Sequence, residues 1–293
     1  MKTINDAVNH IVTKLQKITE PAEAHNYAWL IINFLKNYTK ADLILKGDEP
    51  LTSLERRFIN NSLHKLILSE PIQYVLSRAY FMDIPLFVNQ SVLIPRPETE
   101  ELVAWVIGEI NEKPVSILDI GTGSGCIACA IKKFATTAKI DAWDISNAAL
   151  KIAQVNAKLN NLDIQFKQLD ILKYQYLNPT LYDIIISNPP YVTVAEKRFM
   201  RRNVLKYEPH VALFVPNDTP FLFYEKISDL ATKSLNSGGK LFFEINEKYG
   251  QEVTEILNSK GFENIQLRKD ISGKDRMIMG EFVMNNVDSV LEI

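Results

Sequence analysis

Residues Ile117-Leu118-Asp119-Ile120-Gly121-Thr122-Gly123-Ser124-Gly125 carry an apolar run directly into three alternating glycines. The apolar run predicts a buried β-strand, and the apolar segment over 126–134 predicts a helix after the glycines. Because glycine has no side chain, such a turn lets a ligand lie against the backbone at the carboxyl end of a parallel strand. The segment therefore predicts an α/β fold with a ligand site at the glycine loop.

Downstream of the glycine loop, strand-like and helix-like segments alternate. Strands are predicted over 115–120, 139–143, 164–169, 182–187 and 240–245, and helices over 126–134, 147–160, 220–235 and 247–259. This alternation is typical of a mostly parallel sheet covered on both faces by helices, which is a Rossmann-like α/β fold. The last two predicted strands, 264–268 and 277–283, have no helix between them, so we expect them to pair antiparallel at the sheet edge.

Upstream of the glycine loop, the first 78 residues have helical periodicity. One apolar stripe recurs at intervals of three and four, through Val8, Ile11, Val12, Leu15 and Ile18. A second helical segment runs over 21–35, and a third runs over 53–68, opened by a serine with a glutamate close behind. These segments predict an N-terminal helical bundle.

A short linker separates the helical and α/β parts. Apolar residues alternate over 80–93 around Asp83-Ile84-Pro85, which predicts a β-hairpin. Pro95-Arg96-Pro97-Glu98-Thr99-Glu100 then predicts a rigid turn into a helix, because proline is tolerated in the first turn and acidic side chains favour its positive end. We therefore divide the chain into a helical domain over 1–78, a hairpin linker over 79–97 and an α/β domain over 98–285.

Composition excludes several classes of protein. No apolar run approaches the roughly 20 residues that span a bilayer, and the amino terminus lacks the apolar region of a secretory signal, so we expect a cytoplasmic protein without membrane contact. A net charge of −2 provides no general attraction for nucleic acid, and we expect no stable binding to it.

Cys126 and Cys129 share a helix face and are interpreted as core residues. No metal is expected, because the four histidines are scattered.

The spacing of the glycines separates two classes of ligand. In the dinucleotide-binding fingerprint the third glycine comes three residues after the second, but Cys126 occupies that position here and the third glycine is Gly125. This spacing favours the loop of an S-adenosylmethionine-dependent methyltransferase over that of a dinucleotide-binding dehydrogenase. The predicted cofactor-binding residues of the loop are Gly121, Thr122, Gly123, Ser124 and Gly125.

Acidic residues end three successive predicted strands, at Asp119, Asp144 and Asp170. Ligands of open parallel sheets bind at the carboxyl ends of the strands. Asp144 is placed to accept hydrogen bonds from both ribose hydroxyls, and Asp170 with Ile171 is placed to bracket an adenine ring. The alternative is that Asp144 and Asp170 only cap the segments that follow them.

The predicted strand over 182–187 ends in Asn188-Pro189-Pro190-Tyr191. The prolines fix the backbone and have no amide proton, so the Asn188 side-chain oxygen and the Pro189 carbonyl can accept the two hydrogens of a planar NH₂ group while Tyr191 stacks on its face. A nitrogen of that kind is a poor nucleophile, and two fixed acceptors stabilise the charge that develops on it during methyl transfer. The alternative is a plain proline turn.

Three segments together, 93–100, 119–125 and 188–191, closely resemble the HemK/PrmC family of peptide chain release factor glutamine methyltransferases. Further agreement comes from Glu70-Pro71-Ile72-Gln73-Tyr74, Tyr207-Glu208-Pro209-His210-Val211-Ala212-Leu213 and Lys274-Asp275-Arg276. The resemblance covers nearly the whole chain. Ser77-Arg78 departs from it, since the family usually has a glycine there, and this departure affects the linker rather than the site.

The resemblance implies methyl transfer from S-adenosyl-L-methionine, without a metal, to the side-chain nitrogen of the glutamine in the Gly-Gly-Gln motif of class-one peptide chain release factors. It implies that the glycine loop holds the methionine part, that Asp144 holds the ribose and that Ile171, with Asp170, contacts the adenine. The catalytic residues would be Asn188, Pro189 and Tyr191; with Pro190 they would bind the glutamine amide, and Asn188 would also contact the cofactor. Residues 1–78 would dock the protein substrate, and 98–285 would be the methyltransferase catalytic domain. Apart from the resemblance, we expect a monomer, because nothing in the sequence requires a dimer.

Three alternatives remain open from the sequence. A ribosomal-protein glutamine methyltransferase differs only through its N-terminal domain, and a nucleic-acid amino methyltransferase predicts a basic groove or a recognition insert that is not evident. The third is a catalytically idle S-adenosylmethionine-binding module. The role of Arg96 is left open, and the basic run Lys197-Arg198-Phe199-Met200-Arg201-Arg202 is either a grip on the release factor or a solvated helix face.

Overall fold

The computed structural model describes residues 1–110, 114–175 and 180–283. Two compact units divide these residues. The small unit consists of Met1–Arg78 together with Arg201–Tyr207, and the large unit consists of Ala79–Met200 and the chain from Glu208 onwards. The predicted domain end at residue 285 lies outside the described residues.

The small unit is helical. Its first five helices are α1 (Ile4–Leu15), α2 (Pro21–Lys36), α3 (Lys40–Leu45), α4 (Ser53–Ile67) and α5 (Ile72–Leu76). The apolar stripe of α1 is buried from Ile4 to Leu15, but the prediction was wrong for Ile18, which lies beyond the helix and is 55% exposed. Helix α4 begins at Ser53 as predicted, and Thr52 caps it in a reciprocal pair with Glu55.

Residues 201–207 belong to the small unit although they lie far along the chain. The hydroxyl of Tyr207 donates a hydrogen bond to the Leu68 carbonyl at 2.9 Å, just after α4. The charge of Arg201 lies near Glu23 and Tyr27 of α2. The basic run over 197–202 is therefore divided between the two units, with only Arg201 and Arg202 in the small one.

The large unit opens with the predicted hairpin. Strands β1 (Ala79–Phe81) and β2 (Ile84–Leu86) pair antiparallel across the two-residue loop Met82-Asp83. Both loop residues have positive φ angles, 47° and 61°, as a tight two-residue hairpin turn requires. Helix α6 (Pro97–Glu109) follows, with proline at its start and two glutamates in its first turn.

The remaining elements include every strand and helix that the sequence predicts from residue 115 onwards, and three short elements within 192–215 that it does not predict. They are β3 (Ser116–Ile120), α7 (Cys126–Phe134), β4 (Lys139–Asp144), α8 (Asn147–Leu159), β5 (Gln165–Gln168), β6 (Tyr182–Ser187), β7 (Val192–Thr193), α9 (Arg202–Tyr207), β8 (Phe214–Val215), α10 (Leu222–Ser234), β9 (Leu235–Glu244), α11 (Gly250–Ser259), β10 (Phe262–Lys269) and β11 (Asp275–Phe282). Short 3-10 helices at Val194–Phe199 and His210–Ala212 flank α9.

Seven strands form the main sheet, in the order β10-β11-β9-β6-β3-β4-β5. Strands β9, β6, β3, β4 and β5 are parallel to one another, while β11 pairs antiparallel with both β9 and β10. The Rossmann-like fold and the antiparallel pairing of the last two strands are thus confirmed. The chain runs outward from β3 through β4 to β5 and then returns to β6 on the other side of β3, which puts the switch point at the end of β3.

Alternate residues of each central strand pack into opposite apolar layers. Ile117 and Ile186 face the layer under α6 and α7, and Leu118 and Ile185 face the layer under α10 and α11. Burial on both faces is expected for parallel strands between helices. Cys129 is fully buried in the first of these layers. The two layers hold the strand ends, and hence the loops that follow them, in fixed positions.

Candidate active site

A cavity of about 260 Å³ opens at the carboxyl ends of four parallel strands. Each strand contributes the residues that follow it: 120–124 after β3, 143–146 after β4, 169–172 after β5 and 187–190 after β6. Ile94, Arg96, Val211 and Ala212 form another part of the wall. The ligand site that the sequence predicts at these strand ends would lie in this cavity.

The glycine loop presents bare backbone to the cavity. Gly121 and Gly123 have φ angles of 75° and 55°, which favour glycine, and both line the cavity. Gly125 also has a positive φ angle but does not line the cavity, and a Cβ atom there would lie 3.0 Å from the Ala153 Cβ. The third glycine therefore serves close packing against α8, whereas the first two face the cavity.

Asp144 ends β4 and connects the glycine loop to the next turn. Its Oδ2 accepts a hydrogen bond from the Gly123 N–H at 2.8 Å, and its Oδ1 accepts one from the Ser146 N–H at 2.8 Å. Burial raises the pKa of this carboxyl, and the N–H groups of Ser146 and Gly123 oppose the rise. Helix α8 is capped by the Ser146 side chain, so capping does not account for Asp144. Each carboxylate oxygen keeps acceptor capacity for one further hydroxyl.

Asp170 and Ile171 line the cavity after β5. The Asp170 Oδ1 accepts a hydrogen bond from the Leu172 N–H at 3.0 Å, which fixes the turn, and Lys173 lies 3.5 Å from Oδ2. Ile171 is buried. The pair thus provides an acceptor beside an apolar wall, where the sequence predicts an adenine ring, while Asp170 also holds its own turn.

Asp119 differs from the other two acids because it is fully buried and does not line the cavity. It accepts a hydrogen bond from the Thr122 hydroxyl at 2.6 Å. Burial raises its pKa to about 7, and the Thr122 bond opposes that rise. Asp119 therefore supports the glycine loop from beneath.

The predicted catalytic loop follows β6 along the cavity wall. The Ser187 hydroxyl donates to the Ile120 carbonyl at 2.7 Å and ties this loop to the end of β3. The Asn188 Nδ2 donates to the Thr99 hydroxyl at 3.2 Å. Within the described part of the chain, the Asn188 Oδ1 and the Pro189 carbonyl oxygen have no hydrogen-bond donor. Both acceptors thus remain available at a loop that lines the cavity.

Tyr191 is oriented away from the main cavity. Its ring borders a neighbouring groove with Phe199 and Arg276, and its hydroxyl donates to the Glu244 Oε1 at 2.9 Å. Burial, together with the charge of Glu244, raises the pKa of the phenol well above its usual value. The structure therefore brings Asn188, Pro189 and Pro190 together on the cavity wall and places Tyr191 behind them.

Thr99 and Glu244 were not predicted from the sequence. The Thr99 hydroxyl donates to the Glu244 Oε2 at 2.5 Å, and both residues are almost fully buried. Burial raises the pKa of Glu244, while the hydroxyls of Thr99 and Tyr191 and the charge of Arg276 oppose the rise. A sequence signal was present, since Glu244 ends the apolar run Leu241-Phe242-Phe243 just as the three aspartates follow apolar runs.

Arg96 has a defined partner in the structure. Its Nη2 donates to the Glu208 Oε1 at 2.7 Å, and the Ile94 N–H donates to the Glu208 Oε2 at 3.3 Å. The Glu208 side chain is 1% exposed. A buried carboxylate held by a guanidinium and an N–H group fixes one segment against another. Glu208 thereby joins residues 94–96 to the segment that continues through Pro209 along the cavity wall.

Membrane-spanning helices and metal-binding clusters are both absent from the described ranges 1–110, 114–175 and 180–283. No helix there is long and apolar enough to cross a membrane. No group of three or more histidine, cysteine, aspartate or glutamate side chains there is arranged to hold a metal ion.

Comparison with known proteins identifies both parts of the chain. Residues 104–206 match the family model of the methyltransferase small domain, and residues 6–76 match that of the PrmC N-terminal domain. A solved methyltransferase from Pyrococcus furiosus has a similar fold, with a TM-score of 0.52 and 16% identity over 80% of this chain and all of that one.

Curated relatives are similar over almost their whole length. The release factor glutamine methyltransferase of Flavobacterium psychrophilum is 44% identical over 92% of this chain and 96% of its own. That of Bacteroides thetaiotaomicron is 41% identical over 94% of this chain and 99% of its own. The resemblance seen in the sequence motifs is thus confirmed, and the chain belongs to the family of release factor glutamine methyltransferases.

Proposed function

We propose that this protein transfers a methyl group from S-adenosyl-L-methionine to the side-chain nitrogen of the glutamine in the Gly-Gly-Gln motif of class-one peptide chain release factors. The observation that carries the proposal is the pair of acceptors Asn188 Oδ1 and the Pro189 carbonyl, to which no described residue donates, on a loop of the cavity that Asp144 also lines. The curated relatives are named release factor glutamine methyltransferases, which supports a release factor as the substrate.

The residues around the cavity fit S-adenosylmethionine. Gly121 and Gly123 leave room for its methionine part against the backbone, together with Thr122 and Ser124. Asp144 would accept hydrogen bonds from the two ribose hydroxyls, one at each oxygen. Asp170 and Ile171 would contact the adenine, and Asn188 borders the same space. Gly125 would act indirectly, through the packing of the loop.

The proposed mechanism depends on positioning and on fixed dipoles. S-adenosylmethionine supplies a methyl group on a positively charged sulfur. Asn188 Oδ1 and the Pro189 carbonyl would each accept one hydrogen of the glutamine amide, which orients its nitrogen for in-line attack and stabilises the positive charge that develops there. The nitrogen would take the methyl group as the S–C bond breaks with its electron pair remaining on sulfur, and the nitrogen would then release one proton to solvent. Pro190 would hold the loop rigid, and we propose that Tyr191 supports the glutamine pocket from behind the loop, where its ring borders the neighbouring groove.

The experiment that tests this function measures methyl transfer from labelled S-adenosylmethionine to a purified release factor. We expect the intact factor to be labelled and a copy with the Gly-Gly-Gln glutamine changed to alanine to remain unlabelled. Purified ribosomal proteins and nucleic acid serve as alternative acceptors in the same assay. Labelling of either of these alone would retain the methyltransferase chemistry and overturn the proposed substrate.

We further propose that the small unit docks the release factor, with Arg201 and Arg202 in contact with it. Both side chains are exposed, and both belong to that unit. Reversing both charges, Arg201→Glu with Arg202→Glu, should raise the KM for the factor about tenfold and leave kcat within about twofold, because surface charges act mainly on association. The matched control is Lys151→Glu with Lys158→Glu, which changes the charge equally on the exposed face of α8. Equal KM values for the two double variants would reject the contact.

The remaining parts of the proposal concern assembly and location. We propose a monomeric, cytoplasmic enzyme that forms no stable complex with nucleic acid. Its mass in solution, measured by light scattering, should correspond to one chain of 33.4 kDa. A mass of twice that value at working concentration would contradict the monomer.

A further inference from the structure

The Thr99 hydroxyl lies between the amide of Asn188 and the carboxylate of Glu244. It accepts a hydrogen bond from the Asn188 Nδ2 at 3.2 Å and donates one to the Glu244 Oε2 at 2.5 Å. Thr99 is 2% exposed and Glu244 is 1% exposed, so bulk water does not compete for these bonds. The other carboxylate oxygen of Glu244 accepts from the Tyr191 hydroxyl.

The hydrogen bonds in this chain of residues have a defined direction. The two oxygens of the Glu244 carboxyl group accept from the hydroxyls of Thr99 and Tyr191. Because a hydroxyl has a single proton, the proton of Thr99 is turned toward Glu244. The lone pairs of Thr99 are then left for Asn188, which must offer its NH₂ group and not its oxygen. The Asn188 Oδ1 consequently points away from Thr99. If the Asn188 side-chain amide were flipped, its NH₂ group would face the NH₂ group of the incoming glutamine, and no oxygen would be there to accept a hydrogen bond.

We propose that Thr99 and Glu244 are positioning residues that hold the Asn188 amide with its oxygen toward the substrate. The inference rests on the proposed function, in which that oxygen accepts a hydrogen from the glutamine amide. Glu244 acts on the Asn188 amide through its bond to Thr99, and it comes from β9, the strand next to β6 in the sheet. The parallel strands β6 and β9 thus bring an acceptor and its support to the same end of the sheet.

Substitutions at Thr99 separate the effect of the hydroxyl on kcat from the effect of the shape of the side chain. Thr99→Val keeps the shape and removes the hydroxyl, and we expect kcat to fall about 30-fold, which corresponds to about 2 kcal/mol. The Kd for S-adenosylmethionine should stay within about threefold of the parent value, because the substitution weakens an interaction of the transition state and not the binding of the cofactor. Thr99→Ser restores the hydroxyl and should recover kcat to within about threefold of the parent. Thr254→Val is the matched control, since the Thr254 hydroxyl donates to the Gly250 carbonyl of its own helix.

A double-mutant cycle tests whether Thr99 acts through Asn188. In an Asn188→Ala background there is no amide to orient, so Thr99→Val should lower kcat by less than about threefold. A merely structural role of Thr99 would lower kcat by the same factor in both backgrounds. Equal factors would overturn the inference, and so would a Thr99→Ser variant as slow as Thr99→Val.

An NMR measurement tests the same inference independently of the substrate. The side-chain NH₂ signals of Asn188 can be identified by their loss in Asn188→Ala. We expect slow exchange of these protons with water in the parent and in Thr99→Ser, and an exchange rate at least about tenfold higher in Thr99→Val, where the acceptor is gone. If the release factor is not methylated, the proposed function fails, and the exchange rates still decide the inference. Unchanged exchange in Thr99→Val would overturn it.

Discussion

Asn188→Ala is expected to lower kcat for release-factor methylation by about a thousandfold, which is about 4 kcal/mol of transition-state stabilisation. The substitution removes one of the two acceptors that orient the glutamine nitrogen and stabilise its developing charge. The Asn188 oxygen has no other role in hydrogen bonding within the described residues, so the fold should not depend on it. The Kd for S-adenosylmethionine should therefore stay within about fivefold of the parent value.

Turnover under saturating cofactor and the Kd from isothermal calorimetry measure the two effects separately. Asn258→Ala, on the exposed face of α11, is the matched control and should leave both values unchanged. If Asn188→Ala instead weakened cofactor binding by the same factor as turnover, the loop would be structural rather than catalytic. That result would also remove the basis for the positioning role of Thr99.

Asp144→Asn is expected to raise the Kd for S-adenosylmethionine about 100-fold. An amide can accept at only one of its two heteroatoms, whereas both carboxylate oxygens already accept from N–H groups, of Gly123 and Ser146. The amide NH₂ would face one of those donors, and the ribose would lose at least one charge-assisted bond, worth roughly 1.5–3 kcal/mol. Calorimetric titration with the cofactor measures this loss directly.

Asp170→Asn is the comparison for Asp144→Asn, because both acids line the cavity. Within the residues that the structure describes, the Asp170 carboxylate accepts one backbone N–H, at 3.0 Å. Its proposed contact with the adenine is a single bond, so the Kd of Asp170→Asn for S-adenosylmethionine should rise by less than about tenfold. Equal losses for the two variants would mean that no specific ribose contact is made. A thermal unfolding measurement on both variants ensures that the Kd values belong to folded protein.

Local sequence patterns predicted the elements of the large unit well. The helix Cys126–Phe134 and the strand Tyr182–Ser187 have the predicted bounds, because glycine, proline and apolar runs delimit them sharply. Strand β9 starts at Leu235 and not at residue 240, since Asn236-Ser237-Gly238-Gly239 lacks the apolar pattern of a strand. Helices α3 and α5 were missed because six and five residues are too few to display helical periodicity.

Pairs of residues that are distant in the chain could not be predicted from local patterns. Thr99 and Glu244 are 145 positions apart, and Arg96 and Glu208 are 112 apart. Each side chain is ambiguous by itself, because a threonine in a first helical turn or a glutamate before a proline has many common roles. Only the folded chain brings these partners within hydrogen-bond distance.

The sequence by itself determined the fold class, the glycine loop, the acids after β4 and β5 and the Asn188-Pro189-Pro190 acceptors. These features depend on the residue types of short continuous segments, whose backbone preferences and burial are local properties. Tertiary structure alone decided that Gly125 packs against α8, that Tyr191 turns toward Glu244 and that Arg201–Tyr207 joins the small unit. These features depend on which surfaces meet after the sheet has formed, and no periodicity in a single segment encodes that.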